Sequence, residues 1–294
     1  NLRSFRNGIY DMRCDVFWTW DDKDIPGANT GAFLDTEYRK TTLTRTVNMN
    51  ASTDWSSNAN LDMMRACCPS FMKLIEYQYP KKTSSAAAYN TYTQPEECVK
   101  FMIAMIGRLF FEVCEIDPGY ERFVAFIGAG GTGKSKIADI VAKIVPSKGL
   151  IKSQNGEKVF GISGLRGKKI IIVEEVQEDC TVPYDSVLLI GSSNGRKQEI
   201  EMVVPVKNEA QCEMLVTMPM LMVGNGWPRN WPNDGKQILR RVLGGLFDRP
   251  VTEEDNSLLE RMNLEIDAIV TGCVRQYHAK IRGIGQKPFK HFIP

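Results

Sequence analysis

Metal-ligand spacing is missing from this sequence. Its eight cysteines (Cys14, Cys67, Cys68, Cys98, Cys114, Cys180, Cys212, Cys273) include no CxxC pair, and the only two histidines, His278 and His291, lie far from most of them. A zinc site is therefore not expected, and reduced thiols in the core of an intracellular, soluble protein are. Long apolar runs are missing too. None approaches the ~18–20 residues that a membrane span needs. The longest candidate, Phe101 to Cys114, carries Arg108 and Glu112 inside it and reads as a buried helix. No signal-peptide pattern opens the chain, and its first residue is Asn1 rather than Met, so a piece of a longer polypeptide is expected. An excess of either charge is also missing. The net charge of +2 neither demands nor forbids nucleic acid, because a basic inner surface is compatible with a near-neutral exterior. What remains is ordinary for a globular chain, 43% hydrophobic and 24% charged, with 294 residues to build one large or two modest cores.

No internal repeat is visible. Residues 1 to about 90 are poor in long periodic segments and rich in Asn, Thr, Ser and Asp. Within them, Phe5-Arg6-Asn7-Gly8-Ile9-Tyr10-Asp11 reads as a turn feeding a short strand, and Val16-Phe17-Trp18-Thr19-Trp20 as another. Lys81 to Ala88 reads as a linker. From Pro95 onward, Val99, Met102, Ile103, Ile106, Leu109, Phe110 and Val113 fall at helical spacing, which predicts a helix ending near Asp117-Pro118-Gly119.

Beyond that helix the pattern changes. Phe123-Val124-Ala125-Phe126-Ile127 is apolar without alternation, as in a strand buried on both faces. A glycine-rich turn and a helix from about Lys134 to Val145 follow. Lys169 to Val173 and Met220 to Val223 are two more such strands, and strands alternating with helices predict a parallel α/β sheet. A last helix is predicted from Thr252, whose hydroxyl caps with Asp255 three residues on. Its apolar face carries Leu258, Leu259, Met262, Ile266, Ile269, Val270 and Cys273.

The glycine turn is informative. Gly128-Ala129-Gly130-Gly131-Thr132-Gly133-Lys134-Ser135 fits G-x-x-x-x-G-K-[ST] between a predicted strand and a predicted helix. Glycines let backbone N–H groups converge on phosphate, and the helix N-terminus adds positive potential. In such a loop Lys134 reaches the β- and γ-phosphates of ATP and Ser135 ligates Mg²⁺. Hydrolysis also needs an acid at the end of a neighbouring strand. Ile170-Ile171-Ile172-Val173-Glu174-Glu175 offers two: Glu174 suits a water-mediated Mg²⁺ contact and Glu175 a base that orients the attacking water. Which glutamate takes which role stays open. Met220-Leu221-Met222-Val223-Gly224-Asn225 is an apolar strand ending in an amide, placed to touch both the γ-phosphate and the lytic water.

Phosphate loop, Glu-Glu strand and strand-plus-Asn within a hundred residues resemble the superfamily 3 helicases of DNA and RNA viruses, and most of all the poxvirus and giant-virus primase-helicase type. Phe160-Gly161-Ile162-Ser163-Gly164-Leu165-Arg166-Gly167-Lys168-Lys169 is similar to that branch. So are Gly224-Asn225-Gly226-Trp227-Pro228, Arg240-Arg241 ahead of Val242 to Arg249, and the opening Phe5 to Asp11. The resemblance is specific from about 120 to 250 and looser before Ala88. It implies an α/β P-loop core of AAA+ type with a parallel sheet, preceded by a mixed N-terminal region and a helix and followed by a C-terminal helix. The implied division is 1–90 (pre-motor region), 91–119 (helical collar), 120–250 (motor core) and 251–294 (C-terminal helical segment).

The resemblance further implies a homo-hexameric ring that translocates on single-stranded and forked DNA by hydrolysing ATP, with a primase upstream in the same polypeptide. The location would be the host cytoplasm or nucleus, if the protein is viral. A β-hairpin pointing into the pore would comprise Glu199 to Val206 and Cys212 to Met218, around Lys207-Asn208-Glu209. Lys207 takes the place of the family's DNA-gripping lysine. Asn208 stands where some relatives have histidine, so a matching base or sugar contact is not carried over. Arg240 or Arg241 would be the guanidinium aimed at the γ-phosphate of a neighbouring subunit.

Two other classes stay open on sequence: another P-loop enzyme, such as a packaging ATPase or small-molecule kinase, and a module that binds nucleotide only to assemble. No acceptor pocket or arginine-bearing lid of a kinase is identifiable. A pure binding module has no need of the second glutamate.

Overall fold

In the computed structural model the described residues are 2–11, 16–23, 34–35, 59–80, 94–112, 122–145, 148–152, 165, 167–180, 182–190, 201–204, 212–215, 217–229, 231, 238 and 241–283. The linker expected at Lys81 to Ala88, Lys207 to Glu209 and Arg240 lie outside them.

The chain opens with a small sheet. β1 (Leu2–Phe5) and β2 (Gly8–Asp11) form an antiparallel hairpin, β3 (Val16–Thr19) pairs with β2, and β4 (Leu34–Asp35) adds in parallel to β1. Phe5, Tyr10 and Phe17 carry its inner side into the main core. Two helices follow that the sequence pattern does not announce, α1 (Ala59–Cys67) and α2 (Pro69–Gln78). Pro69 at the first helical position starts α2. No side chain of its own cap residue bonds the free N–H groups. Glu265, far along the chain, does so instead: its two carboxylate oxygens accept from Ser70 N and Phe71 N, both at 3.0 Å.

α3 (Pro95–Arg108) is buried from Phe101 to Arg108 on every face. It ends nine residues or so before the expected Asp117-Pro118-Gly119. The ladder there tightens, with Leu109, Phe110 and Phe111 N–H groups bonding the carbonyls three residues back, and Arg108 Nη1 closes the turn on Phe111 O at 2.7 Å.

The central sheet is wholly parallel. Its strands are β5 (Phe123–Gly128), β6 (Lys148–Lys152), β7 (Ile170–Val176), β10 (Met220–Gly224) and β11 (Val242–Phe247), in the order β11-β5-β10-β7-β6. α4 (Lys134–Ile144) returns from β5, and α5 (Tyr184–Ile190) follows β7. The unbroken apolar runs are explained by two cores. Val124, Phe126, Ile170, Ile172, Leu221 and Val223 face the helices α1 to α4, while Phe123, Ala125, Ile171, Val173, Met220 and Met222 face a second cluster with Val187 and Trp231. This is the α/β architecture that the sequence predicts.

β8 (Glu201–Val204) and β9 (Cys212–Leu215) pair antiparallel as a separate ribbon, with Glu201 opposite Leu215 and Val204 opposite Cys212. The strands fall within the two segments expected to form a hairpin.

The C-terminal helix does not begin at Thr252. α6 (Leu258–Leu264) and α7 (Ile266–Gly283) follow a stretch of bends and a turn, because Asp255 spends its carboxylate on Ser257 N, Ser257 Oγ and Arg261 rather than capping with Thr252. α7 crosses α3 at a close approach made by Gly107, where a Cβ would lie 2.1 Å from Cys273 O. Among the described residues no helix is long and apolar enough to cross a membrane.

Candidate functional site

The carboxyl ends of β5, β7 and β10 open on a cleft of about 740 Å³. Gly130 to Lys136 form one wall, and Glu174, Glu175 and Asn225 stand on the other. β10 lies between β5 and β7, so Asn225 sits between the glycine loop and the acidic pair. The sequence-predicted residues Gly130, Gly131, Thr132, Gly133, Lys134, Ser135, Glu174, Glu175 and Asn225 are thus brought to one cavity.

Adjacent strand residues point to opposite faces, so two successive glutamates should not share a cleft. A β-bulge resolves this. Met222 pairs with Val173 and Gly224 with Val176, which leaves Val223 facing both Glu174 and Glu175. Glu175 adopts φ 57°, the one positive φ at a non-glycine among the described residues. The burial pattern carries the same signature: Ile171 and Val173 face the second core in step, and Val176 rejoins that core one residue out of phase. Glu174 is consequently half-buried and Glu175 exposed, both on the cleft.

The glycine loop is held from inside and from behind. Inside, Lys134 Nζ donates to Gly128 O at 2.9 Å, Ala129 O at 2.5 Å and Thr132 Oγ1 at 3.0 Å, and Thr132 Oγ1 donates to Ala129 O at 3.0 Å. Burial of Lys134 lowers its pKa below the ordinary lysine value. Ser135 is exposed on the cleft beside it. Gly133, at φ 89°, packs so closely on Leu74 that a Cβ would lie 2.4 Å from Leu74 Cδ1. Gly128, at φ 149°, passes Phe247, whose carbonyl oxygen would be 1.9 Å from a Cβ.

From behind, Gln78 at the end of α2 is fully buried. Its Nε2 donates to Thr132 O and to Arg249 O, both at 3.0 Å, and its Oε1 accepts from Arg249 N at 3.2 Å. An unbonded buried amide costs about 1–3 kcal/mol, so the three bonds are what allow a glutamine here. Val251 N donates to Gly131 O at 2.9 Å. Tyr77 fixes the same stretch, bonding Pro250 O at 2.9 Å and lying 4.1 Å under the Arg249 guanidinium. Sequence reading missed Leu74, Gln78, Arg249 and Val251. The available signal was a glutamine prolonging the Phe71, Leu74, Ile75 stripe of an amphipathic helix.

Beyond the cleft, the loop after β10 is laced to the loop after β7. Asn225 N donates to Val176 O at 3.0 Å, Arg229 N to Glu178 O at 2.7 Å, and Trp231 Nε1 to Val182 O at 3.2 Å. Arg241 is not at the cleft. Its carbonyl accepts from Phe123 N at 2.8 Å, at the opposite end of β5 from the glycine loop. Arg240 and Lys207 are outside the described residues.

No family model matches the chain, and no curated protein matches it. Among solved structures it is similar to the apo A form of the NrS-1 C-terminal region, at 13% identity and a TM-score of 0.49, covering 70% of this chain and 44% of that one. It is similar to the apo NrS-1 C-terminal region (305–718) at 12% identity and a TM-score of 0.45, covering 82% and 51%. A third similarity is to JCV helicase, at 10% identity and a TM-score of 0.36, covering 75% and 58%. The chain therefore spans roughly half the length of these structures.

Proposed function

We propose that this protein is an ATP-hydrolysing P-loop motor of the superfamily 3 helicase kind, of AAA+ type, working as a homo-hexamer on single-stranded and forked DNA. The observation that carries the hydrolytic reading is the bulge, which sets Glu174 and Glu175 together on the cleft of Lys134 and Ser135. A site that only holds nucleotide has no use for a strained second carboxylate.

In this reading the N–H groups of Gly130 to Ser135 and the ammonium of Lys134 bind the phosphates. Glu175 orients and deprotonates the attacking water, and Asn225 contacts that water and the γ-phosphate. Ser135 and Glu174 supply oxygen donors on the same cleft, which suits a hard cation. Mg²⁺ held there would neutralise charge on the phosphates. The ring and the DNA track rest on the sequence resemblance. The β8–β9 ribbon lies where that resemblance calls for a pore hairpin. The position of Arg241, at the far end of β5 from its own cleft, supports an arginine supplied to a neighbour. The poxvirus-type branch and an upstream primase belong to the same proposal.

The test is ATP turnover with Mg²⁺, with and without single-stranded DNA, in the wild type and in Glu175→Gln. DNA-stimulated hydrolysis is expected in the wild type, and ATP binding with almost no turnover in the variant. Turnover that DNA leaves unchanged would favour another class of P-loop enzyme. Equal turnover in both proteins would move the base to Glu174.

A further inference from the structure

The glycine loop is braced by a helix that the sequence places well outside the motor, and the bracing has a direction. In a trans peptide the C=O and the following N–H point to opposite sides. Thr132 O is taken by Gln78 Nε2, a buried side chain that does not line the cleft, and Gly131 O by the N–H of Val251, which does line it. Holding Thr132 O on that buried side turns Gly133 N–H the other way, towards the cleft, where converging N–H groups form an anion nest. Gln78 also bonds both backbone atoms of Arg249, two residues before Val251, so one side chain sets both oxygen anchors.

We infer that Gln78 is a positioning residue for phosphate binding: it aims the loop's N–H groups by holding Thr132 O and the Arg249 to Val251 strap together. This rests on the nucleotide reading above, and it assigns α2 to the nucleotide site. Leu74, one turn earlier on the same helix, supports the same placement through its contact with Gly133. N–H groups that bind phosphate equally before and during hydrolysis act on binding rather than on the chemical step. Loss of Gln78 therefore falls on affinity.

The experiment measures ADP binding by calorimetry, together with kcat and KM for ATP, on the full chain carrying Gln78→Met or Gln78→Glu. Methionine keeps the length and loses all three bonds. Glutamate keeps the acceptor for Arg249 N and, when ionised, gives up both donated bonds, so it serves if the methionine variant does not fold. Glu265→Ala is the control, since it loosens α2 at its other end, at Ser70 N and Phe71 N, without touching the loop or the strap. The Gln78 variants should raise the ADP Kd and the ATP KM about tenfold, with kcat at saturating ATP within about twofold. Glu265→Ala should lower the melting temperature with the ADP Kd unchanged. A folded Gln78 variant that binds ADP like the wild type overturns the inference and leaves the nucleotide reading standing. An equal rise in Kd for Glu265→Ala also overturns it, because the effect is then general loosening of α2. Failure of the wild type itself to bind ADP sinks the nucleotide reading and this inference with it.

Discussion

The backbone N–H of Asn225 donates to the carbonyl oxygen of Val176 at 3.0 Å, immediately beyond the bulge that holds Glu174 and Glu175. Gly224 makes this contact possible, since a Cβ there would lie 2.1 Å from the same carbonyl. The amide and the two acids are thus fixed to one another through the backbone, and they keep their spacing only while β10 and β7 stay paired.

Strain at the bulge separates stability from activity. A left-handed conformation costs a residue other than glycine about 1–2 kcal/mol. Glu175→Gly should therefore raise folding stability by ~1 kcal/mol, less the greater chain entropy that glycine loses, while abolishing ATP turnover. Urea unfolding and a hydrolysis assay on the same preparation check it. A less stable, inactive protein would mean that the carboxylate itself holds the strand end.

Lys207 is expected to follow the phosphate backbone of DNA, a contact that is independent of sequence and sensitive to salt. Lys207→Ala should weaken binding to single strands of any sequence alike and reduce the slope of log K against log salt by about one. Unchanged unwinding in the variant would take the grip away from the β8–β9 ribbon.

An arginine supplied by the neighbouring subunit acts mainly when charge develops on the γ-phosphoryl group, with measured effects in GTPases of ~10³–10⁵ in rate. Replacing Arg240 or Arg241, whichever serves, with alanine should leave ATP binding nearly intact and collapse hydrolysis. Lysine should rescue poorly for want of the planar fork. Mixing Lys134→Ala protein with the arginine variant should restore partial activity, because some interfaces then join a sound loop to a sound arginine. Mixed rings that stay inactive at every ratio would place the arginine in its own subunit or require all sites at once.

Asp255 ties the start of α6. Its hydrogen bond from Arg261, then those from Ser257, lower its carboxyl pKa from 3.8 to about 2. A depressed folded-state value stabilises above the unfolded value and is lost as pH falls through the folded one. The melting difference between the wild type and Asp255→Asn should hold constant above pH 3.8 and close towards about 2. A difference that persists below that range would assign it to packing. The pair is exposed, so the difference itself is small.

Three of the five central strands (β5, β7 and β10), the glycine loop and the three polar positions were legible because each is a local pattern: an apolar run, a spacing of glycines, a polar residue at a strand end. α1 and α2 were not. Met64, Phe71 and Ile75 are buried against distant elements, and α2 takes its N-terminal cap from Glu265, which no local pattern contains. Helix ends were misplaced for a related reason. Thr252 and Asp255 have the spacing of a capping box, yet Arg261 competes for the same carboxylate from within the helix. The bulge was hidden for a different reason, since consecutive glutamates read the same whether a strand is regular or not.

The cap on α2 has a consequence for synthesis. Ser70 meets Glu265 across 195 residues, and Gln78 meets Arg249 across 171. A ribosome therefore releases α2 long before the partners of either of its ends, and the glycine loop emerges before the strap that backs it. Under the function proposed above, bound nucleotide would stabilise this chain only after the strap at Arg249 to Val251 has been made, so the loop emerges without the backing that holds it in the folded protein.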